Sequence, residues 1–488
     1  MKMVYLPPEI WLHIIDFLGR DWTFYPRMLT VNTVFLDVAL NRMWGEVNMN
    51  TGACGSDMQR TMHELKRLSD PFISKRLKIL NIGFRHHDYE LKPTTSTSQE
   101  TNTTQEIPEA YYDFPKPYGQ ISSREVLHCI IRALPQFRNV EEICLDWRMP
   151  PSYDHEQNEL LQSIWSQSTF VPNLRAIWLV GALKDHRAFI ETLPKLPELE
   201  NMGLVFRDNY HSESDIQDTS IFTSQILHYI ETISPTLRFL CVRCHTCTDC
   251  SPFFENLPRL PNLRELILEA HFDWSVKDLS SISSCLERCS ETMRTLNLEV
   301  RGPDDLQKPE ELAKQVRVDD WFLELFTSKN PRLFKHVEDL TIKNIATTQR
   351  RADIVVAILR KTRETLRKLN ISLDTSYRLF NSEELARVFD AAAKCRRLTV
   401  LRIYIDCFDR DILEMLTSKL PSLLTLSIGY ARRHPIISGE PGPDGMVPPP
   451  ADGPLKGWVY RDQWKLNDVC TWEHGSSLHI DNLRLSMA

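Results

Sequence analysis

Leu263-Arg264-Glu265-Leu266-Ile267-Leu268 and Met293-Arg294-Thr295-Leu296-Asn297-Leu298 carry one phrase: an apolar residue, two others, an apolar residue, one other, an apolar residue. Working outward toward the N-terminus, the same phrase starts at Leu237, Leu199, Leu174, Val140 and Leu77. Toward the C-terminus it starts at Val337, Leu366, Leu398 and Leu423, with a last possible copy at Ile480. The final three residues of the phrase alternate, which predicts a short strand with both apolar residues on one face. Between copies lie amphipathic runs at helical spacing, such as Ile226-Leu227 with Ile230 and Ile233, Ile354 to Leu359, and Leu385 with Val388-Phe389. Turns at Leu193-Pro194, Leu257-Pro258 and Leu420-Pro421 announce several of the strands.

One short strand and one helix per unit, repeated, is the signature of a leucine-rich repeat. No such unit buries its apolar face alone, and stacking neighbours makes one continuous core. A doubly wound sheet has a similar rhythm, but it usually shows a glycine-rich loop after an early strand. This chain has 16 glycines in 488 residues and no G-x-G-x-x-G. The expectation is an α/β fold: a leucine-rich-repeat solenoid of irregular strand–helix repeats, forming a horseshoe over residues 76–430.

Hydrophobic content of 42% and charged content of 25% are those of an ordinary globular chain, and a net charge of -7 is mild for this length. With no long basic run, nucleic acid is not the expected partner. No apolar run reaches the roughly 18 residues a membrane helix needs. Glu9, His13 and Asp16 interrupt the opening stretch, which does not read as a secretory signal. The 12 cysteines are therefore expected to be reduced thiols, in the cytosol or the nucleus.

Two stretches interrupt the repeats. Residues 92–120 open on Thr/Ser/Gln-rich sequence and read as a mobile insertion. Residues 431–457 are rich in proline and glycine, including Pro448-Pro449-Pro450, and read as a linker. The tail after it, 458–488, contains Trp458, Trp464 and Trp472 and is expected to pack back on the last repeats.

The N-terminus reads differently. Leu6-Pro7-Pro8-Glu9-Ile10 suits the first turn of a helix. Ile10, Ile14, Phe17 and Leu18 then recur at helical spacing, and a second helical run after Pro26 carries Val31, Val34, Phe35, Val38, Ala39, Met43 and Trp44. This order resembles the F-box over residues 1–50, with 51–75 as a linker helix. The resemblance implies an all-α helical hairpin that docks a Skp-type adaptor and, through it, the cullin of a ubiquitin ligase. It also implies that Leu6, Pro7, Ile10, Ile14 and Leu18 are the adaptor contacts. A helical cap on the repeats is the alternative reading of the same residues.

Candidate chemistry is sparse. Cys241-x-x-Cys244-x-x-Cys247-x-x-Cys250 has a spacing that thiolate metal ligands use, but it lacks the second pair typical of zinc sites. Cys241 also sits inside a repeat phrase, so these four are weak metal candidates and no cofactor is expected. Cys285 and Cys289 share a helix face with Ile282 and Leu286 and read as core thiols. Asp406, Asp409 and Asp411 suit a helix cap as well as a cation, and His86-His87-Asp88 has no partner set by spacing. There is no H-E-x-x-H, G-x-S-x-G or Walker A sequence. The expected role is a receptor, not an enzyme.

The repeats offer a better site. The residue between the last two apolar positions, and the one following, should face the concave side. Down the array this selects Trp178, Arg243, Glu269, Glu299, Lys343, Arg402 and Tyr404 as candidate contacts to a protein substrate. The surface would run from apolar around Trp178, through acidic at Glu269 and Glu299, to basic at Lys343 and Arg402. A scaffold with no ligase role, or a metal protein built on the cysteine run, are the other readings.

Overall fold

A computed structural model describes residue 10 and residues 33–50, 55–85, 123–148, 154–208, 225–302, 308–344, 350–372, 380–408, 410–420, 422–433, 459–460, 464–474 and 477–487. The chain divides into two units, Met1–Glu200 with Asn209–Ser212, and Asn201–Asp208 with Glu213–Ala488. Both are α/β, built from parallel strands alternating with helices. No helix among the described residues is long and apolar enough to cross a membrane.

In the first unit the helix Thr33–Trp44 leads into four parallel strands, β1 (Glu46–Asn50), β2 (Ile79–Arg85), β3 (Glu142–Arg148) and β4 (Ala176–Gly181). The array thus begins before residue 76. Trp44-Gly45-Glu46-Val47-Asn48-Met49 is itself a copy of the phrase, buried at all three apolar positions. The 51–75 segment, expected as a linker helix, is helical from residue 55. Its helices Gly55–Leu68 and Pro71–Ser74 form the crossover from β1 to β2.

The second unit continues the pattern with eight parallel strands, β5 (Asn201–Arg207), β6 (Phe239–His245), β7 (Glu265–His271), β8 (Thr295–Arg301), β9 (Asp339–Lys343), β10 (Lys368–Ser372), β11 (Val400–Phe408) and β12 (Thr425–Arg433). The copy at Ile480 departs from the rest. It lies in β15 (Ser477–Met487), antiparallel to β12, and is joined in a hairpin to β14 (Trp464–His474), which pairs with β13 (Val459–Tyr460). The tail extends the sheet edge and adds no further repeat.

Register explains why the phrase recurs. Met202, Leu240, Leu266, Leu296, Leu340, Leu369, Leu401 and Leu426 stand opposite one another across the strands, almost wholly buried. A slip of one residue would send each of them to the other face. The first apolar residue of each parallel copy, from Leu77 to Leu423, sits in the preceding turn and is at most 2% exposed. The residue after it plays a fixed role. Its carbonyl accepts two backbone N–H groups from the next repeat: Arg264 and Glu265 to Arg238, Arg294 and Thr295 to Arg264, Glu338 and Asp339 to Arg294, Arg367 and Lys368 to Glu338. The first unit does the same at Gly45, Lys78 and Glu141. These strands are therefore pinned to their neighbours at their entry, before the ladder begins.

The Thr33–Trp44 helix is fixed to the first repeats. Phe35, Ala39 and Trp44 are buried, and Arg67 lies over the Trp44 ring at 5.7 Å. Buried Arg76 reaches back with one nitrogen 2.5 Å from Asp37 Oδ1 and the other 2.5 Å from Asn41 Oδ1. At the helix-to-strand turn a Cβ on Gly45 would fall 2.4 Å from the Asn41 carbonyl oxygen, so only glycine fits there.

Candidate functional site

On each strand the leucines face the helices, and the residues between them form rows on the opposite face. One row reads Val205, Arg243, Glu269, Glu299, Lys343 and Ser372, each the register partner of the next on strands β5 to β10. Four of the seven residues chosen from sequence, Arg243, Glu269, Glu299 and Lys343, thus stand side by side.

Their arrangement is a network around two carboxylates. Glu299 lies 2.5 Å from Arg301 Nε and 3.2 Å from Lys343 Nζ, and accepts from Asn344 Nδ2 at 2.8 Å. Glu269 lies 3.1 Å from Arg301 Nη2, 3.5 Å from Arg243 Nε and 3.6 Å from His245 Nε2. Arg301 spans both acids. Asn344 has a φ of 57°, and the left-handed turn there ends β9. Its own N–H donates to the Ser372 carbonyl while its amide reaches Glu299. Asparagine tolerates that conformation better than other non-glycine residues.

Exposure separates the two signs. The Glu299 and Glu269 side chains are 4% and 11% exposed, whereas Arg243, Arg301 and Lys343 are 42%, 41% and 39% exposed. The expectation of an acidic middle is therefore corrected. The carboxylates are inside the network, and the accessible charge is positive. Burying an unpaired carboxylate costs several kcal/mol, which is why each has two or more cations against it.

A further row, two residues along, was not selected from the sequence. Arg207 pairs in register with His245, and His271 with Arg301. The His245 and His271 rings lie 6.2 Å apart, and His271 meets Trp274 edge-on at 5.4 Å. Burial, then the positive charges of Arg207, Arg301 and Arg243, hold His245 below its ordinary range, with Glu299 opposing. The alternation could have shown this row, since it only extends the strand by two residues. The Trp274 turn is built by Asp273, at φ 65°. Asp273 pairs with Lys314 at 2.7 Å, and the bond from Lys314 holds its carboxyl below the usual range. Trp274 is left 47% exposed beside the basic row. At the other end of the strands the same face is acidic, with Glu265 on β7 and Asp339 on β9. Burial, and secondly Asp339, raise the Glu265 carboxyl.

The remaining candidates do not join this cluster. Arg402 and Tyr404 on β11 interact with each other, Arg402 Nη2 lying 3.3 Å from the Tyr404 hydroxyl, with β10 between them and Lys343. Trp178 is half-buried on β4 in the first unit, opposite Cys144, and bonds Glu142. Burial raises the Glu142 carboxyl, and that bond opposes the rise.

The cysteine run does not converge. Cys241 is on the charged face and Cys244 on the helix face of the same strand, where it bonds Cys250. Burial pushes the Cys241 thiol up to about 11 and Cys250 well above its ordinary value, so both are protonated thiols here. Burial, then Asp208, raise the half-buried Cys247. Among the described residues no group of three or more His, Cys, Asp or Glu is placed to hold a metal ion. Cys285 and Cys289 are core thiols as expected, both 1% exposed.

Of the adaptor candidates, Leu6, Pro7, Ile14 and Leu18 lie outside the described residues, and Ile10 is exposed. His86, His87, Asp88 and Asp409 also lie outside them, as do all of 92–120 and most of 431–457. Comparison with protein-family models finds no match, and neither does comparison with curated proteins.

Proposed function

We propose that this chain is a substrate receptor of a Skp–cullin–F-box ubiquitin ligase, acting in the cytosol or nucleus. An F-box-like N-terminal segment would bind the adaptor, and leucine-rich repeats would hold the protein to be ubiquitinated. The observation that carries the reading is the register of the repeats, which assembles Arg243, Glu269, Glu299 and Lys343 from four separate units into one polar surface. Such a surface recognises a macromolecule by complementarity over area. The receptor's contribution is effective concentration, since holding a substrate beside the transferring enzyme makes an intermolecular step intramolecular.

A second reading has an observation of its own. Phe35, Ala39 and Trp44, which the F-box resemblance includes, are buried on the first repeats, as a cap on a scaffold without ligase role would be. One experiment separates the two: co-purification of the full chain with a Skp-type adaptor, beside a chain lacking residues 1–32 and one with Leu6 and Pro7 replaced by alanine. The receptor reading expects adaptor with the full chain alone. No adaptor with any of them, from folded protein, overturns it in favour of the scaffold.

A further inference from the structure

The rows that run across β5 to β9 have a property that neither a cap nor a neutral scaffold needs. Arg207, Arg243, Arg301 and Lys343 set four positive charges against the two of Glu269 and Glu299. The two negative charges are the inaccessible ones. A ligand approaching this face meets guanidinium and ammonium groups held in place from beneath by carboxylates. The depression of His245 agrees: after burial, its largest causes are three of these arginines, so the local potential is positive. Beside β7, the middle strand of the row, Trp274 presents an exposed indole next to His271.

From this arrangement we infer that the C-terminal rim of strands β5 to β9 binds an acidic peptide segment of a partner protein, with glutamate or aspartate side chains on Arg207, Arg243, Arg301 and Lys343 and an apolar side chain against Trp274. Charge complementarity selects the sign. The choice of carboxylates follows from spacing. Neighbouring strands lie about 4.8 Å apart, so the cations form a line across the sheet rather than one enclosed pocket, and Arg243 and Arg301 are already shared with glutamates. A line of partly neutralised cations suits several single charges spread along an extended segment better than one concentrated dianion. Trp274 adds a flat apolar surface beside β7, the middle strand of the line, where a central apolar side chain of the segment would lie. The inference deepens the receptor reading by naming what the substrate face takes, and rests on it for that placement. The binding itself is independent of the adaptor.

The test uses the full chain and fluorescence anisotropy. The probe is a labelled ten-residue peptide with four glutamates around a central leucine, and the controls are the glutamine version and a version with one phosphoserine in place of the glutamates. The glutamate peptide should bind at least tenfold tighter than the glutamine peptide, with affinity falling as salt is raised. Lys343→Gln and Arg243→Gln should each weaken it three- to tenfold, and Trp274→Ala should weaken it by a similar factor without changing the salt dependence. Lys343 and Trp274 are exposed enough that their variants should fold, which circular dichroism checks. Equal affinity for the glutamate and glutamine peptides overturns the inference. Binding of the phosphoserine peptide alone overturns the assignment to carboxylates. Because no adaptor is present, these results stand whether or not the adaptor co-purifies.

Discussion

Two arginine–glutamate networks in the second unit have similar chemistry and opposite placement. On the helix side, Arg351 of the helix Arg351–Thr362 is 1% exposed and lies 2.6 Å from Glu384 of the helix Ser382–Ala392, with its guanidinium over the Phe380 ring. Glu384 also closes a capping box with Asn381 at the start of its own helix. On the sheet face, Arg301 spans Glu269 and Glu299 with 41% of its side chain exposed. In the first network the cation is the buried partner, and its links run between consecutive helices. In the second the anions are buried and the cations remain presented. Which partner is buried, rather than the pairing itself, separates an arginine that joins two repeats from one that can meet a ligand.

That contrast breaks or holds in measurement. The largest effect should come from Arg351→Ala, which strands a mostly buried carboxylate and removes a full side chain from the core. We expect a loss of about 3–5 kcal/mol in urea unfolding. A loss under about 1 kcal/mol would mean that Arg351 is not holding the two helices.

An intermediate effect concerns a buried carboxyl that has no ion pair among the described residues. Asp185 accepts from the Ala182 N–H at 2.8 Å and faces Gln157 at 3.5 Å, and burial raises its pKa to about 7. Folded Asp185 therefore keeps its proton where the unfolded chain has lost it, and its contribution to stability falls as pH rises from about 4 to about 7. Adjacent His186 is held at about 4 by burial, so its contribution rises with pH over about 4 to 6.5 and largely offsets that of Asp185. Asp185→Asn removes one side of this balance and leaves the histidine. The variant should gain roughly 2–3 kcal/mol relative to the parent between pH 5 and pH 8. A flat difference across that range would refute the raised carboxyl.

The smallest effect should come from Glu299→Gln. Its partners Arg301 and Lys343 are accessible and can return to water, so the cost should be about 1 kcal/mol despite the burial of Glu299 itself. If the cost matched that of Arg351→Ala, the distinction between the two networks would fail.

The strands were legible because each depends on a local phrase. All copies from Leu77 to Leu423 fall on parallel strands, since the buried leucines that make the phrase visible also set the register. Two errors have physical causes. The copy at Trp44 was hidden because the same tryptophan ends a helix, and one residue served two patterns. The copy at Ile480 has the right alternation, but alternation does not distinguish a parallel strand from an antiparallel one. The site was half legible. Arg243, Glu269, Glu299 and Lys343 follow from counting along a strand. The sharing of Arg301 between two glutamates depends on the register of β7 against β8, and the exposure of Trp274 depends on a turn built by Asp273 and Lys314. Neither has a signature in linear sequence. The sign of the surface is hidden for the same reason, because sequence lists charges without saying which ones reach water.

The Arg76 clamp sets how motion passes through the first unit. Because it ties Asp37 and Asn41 to the start of β2, the helix Thr33–Trp44 cannot swivel without breaking a buried arginine contact. A partner that grips this helix therefore holds a segment tied by a buried arginine to the residues that lead into β2. Cutting the clamp with Arg76→Ala would remove that tie.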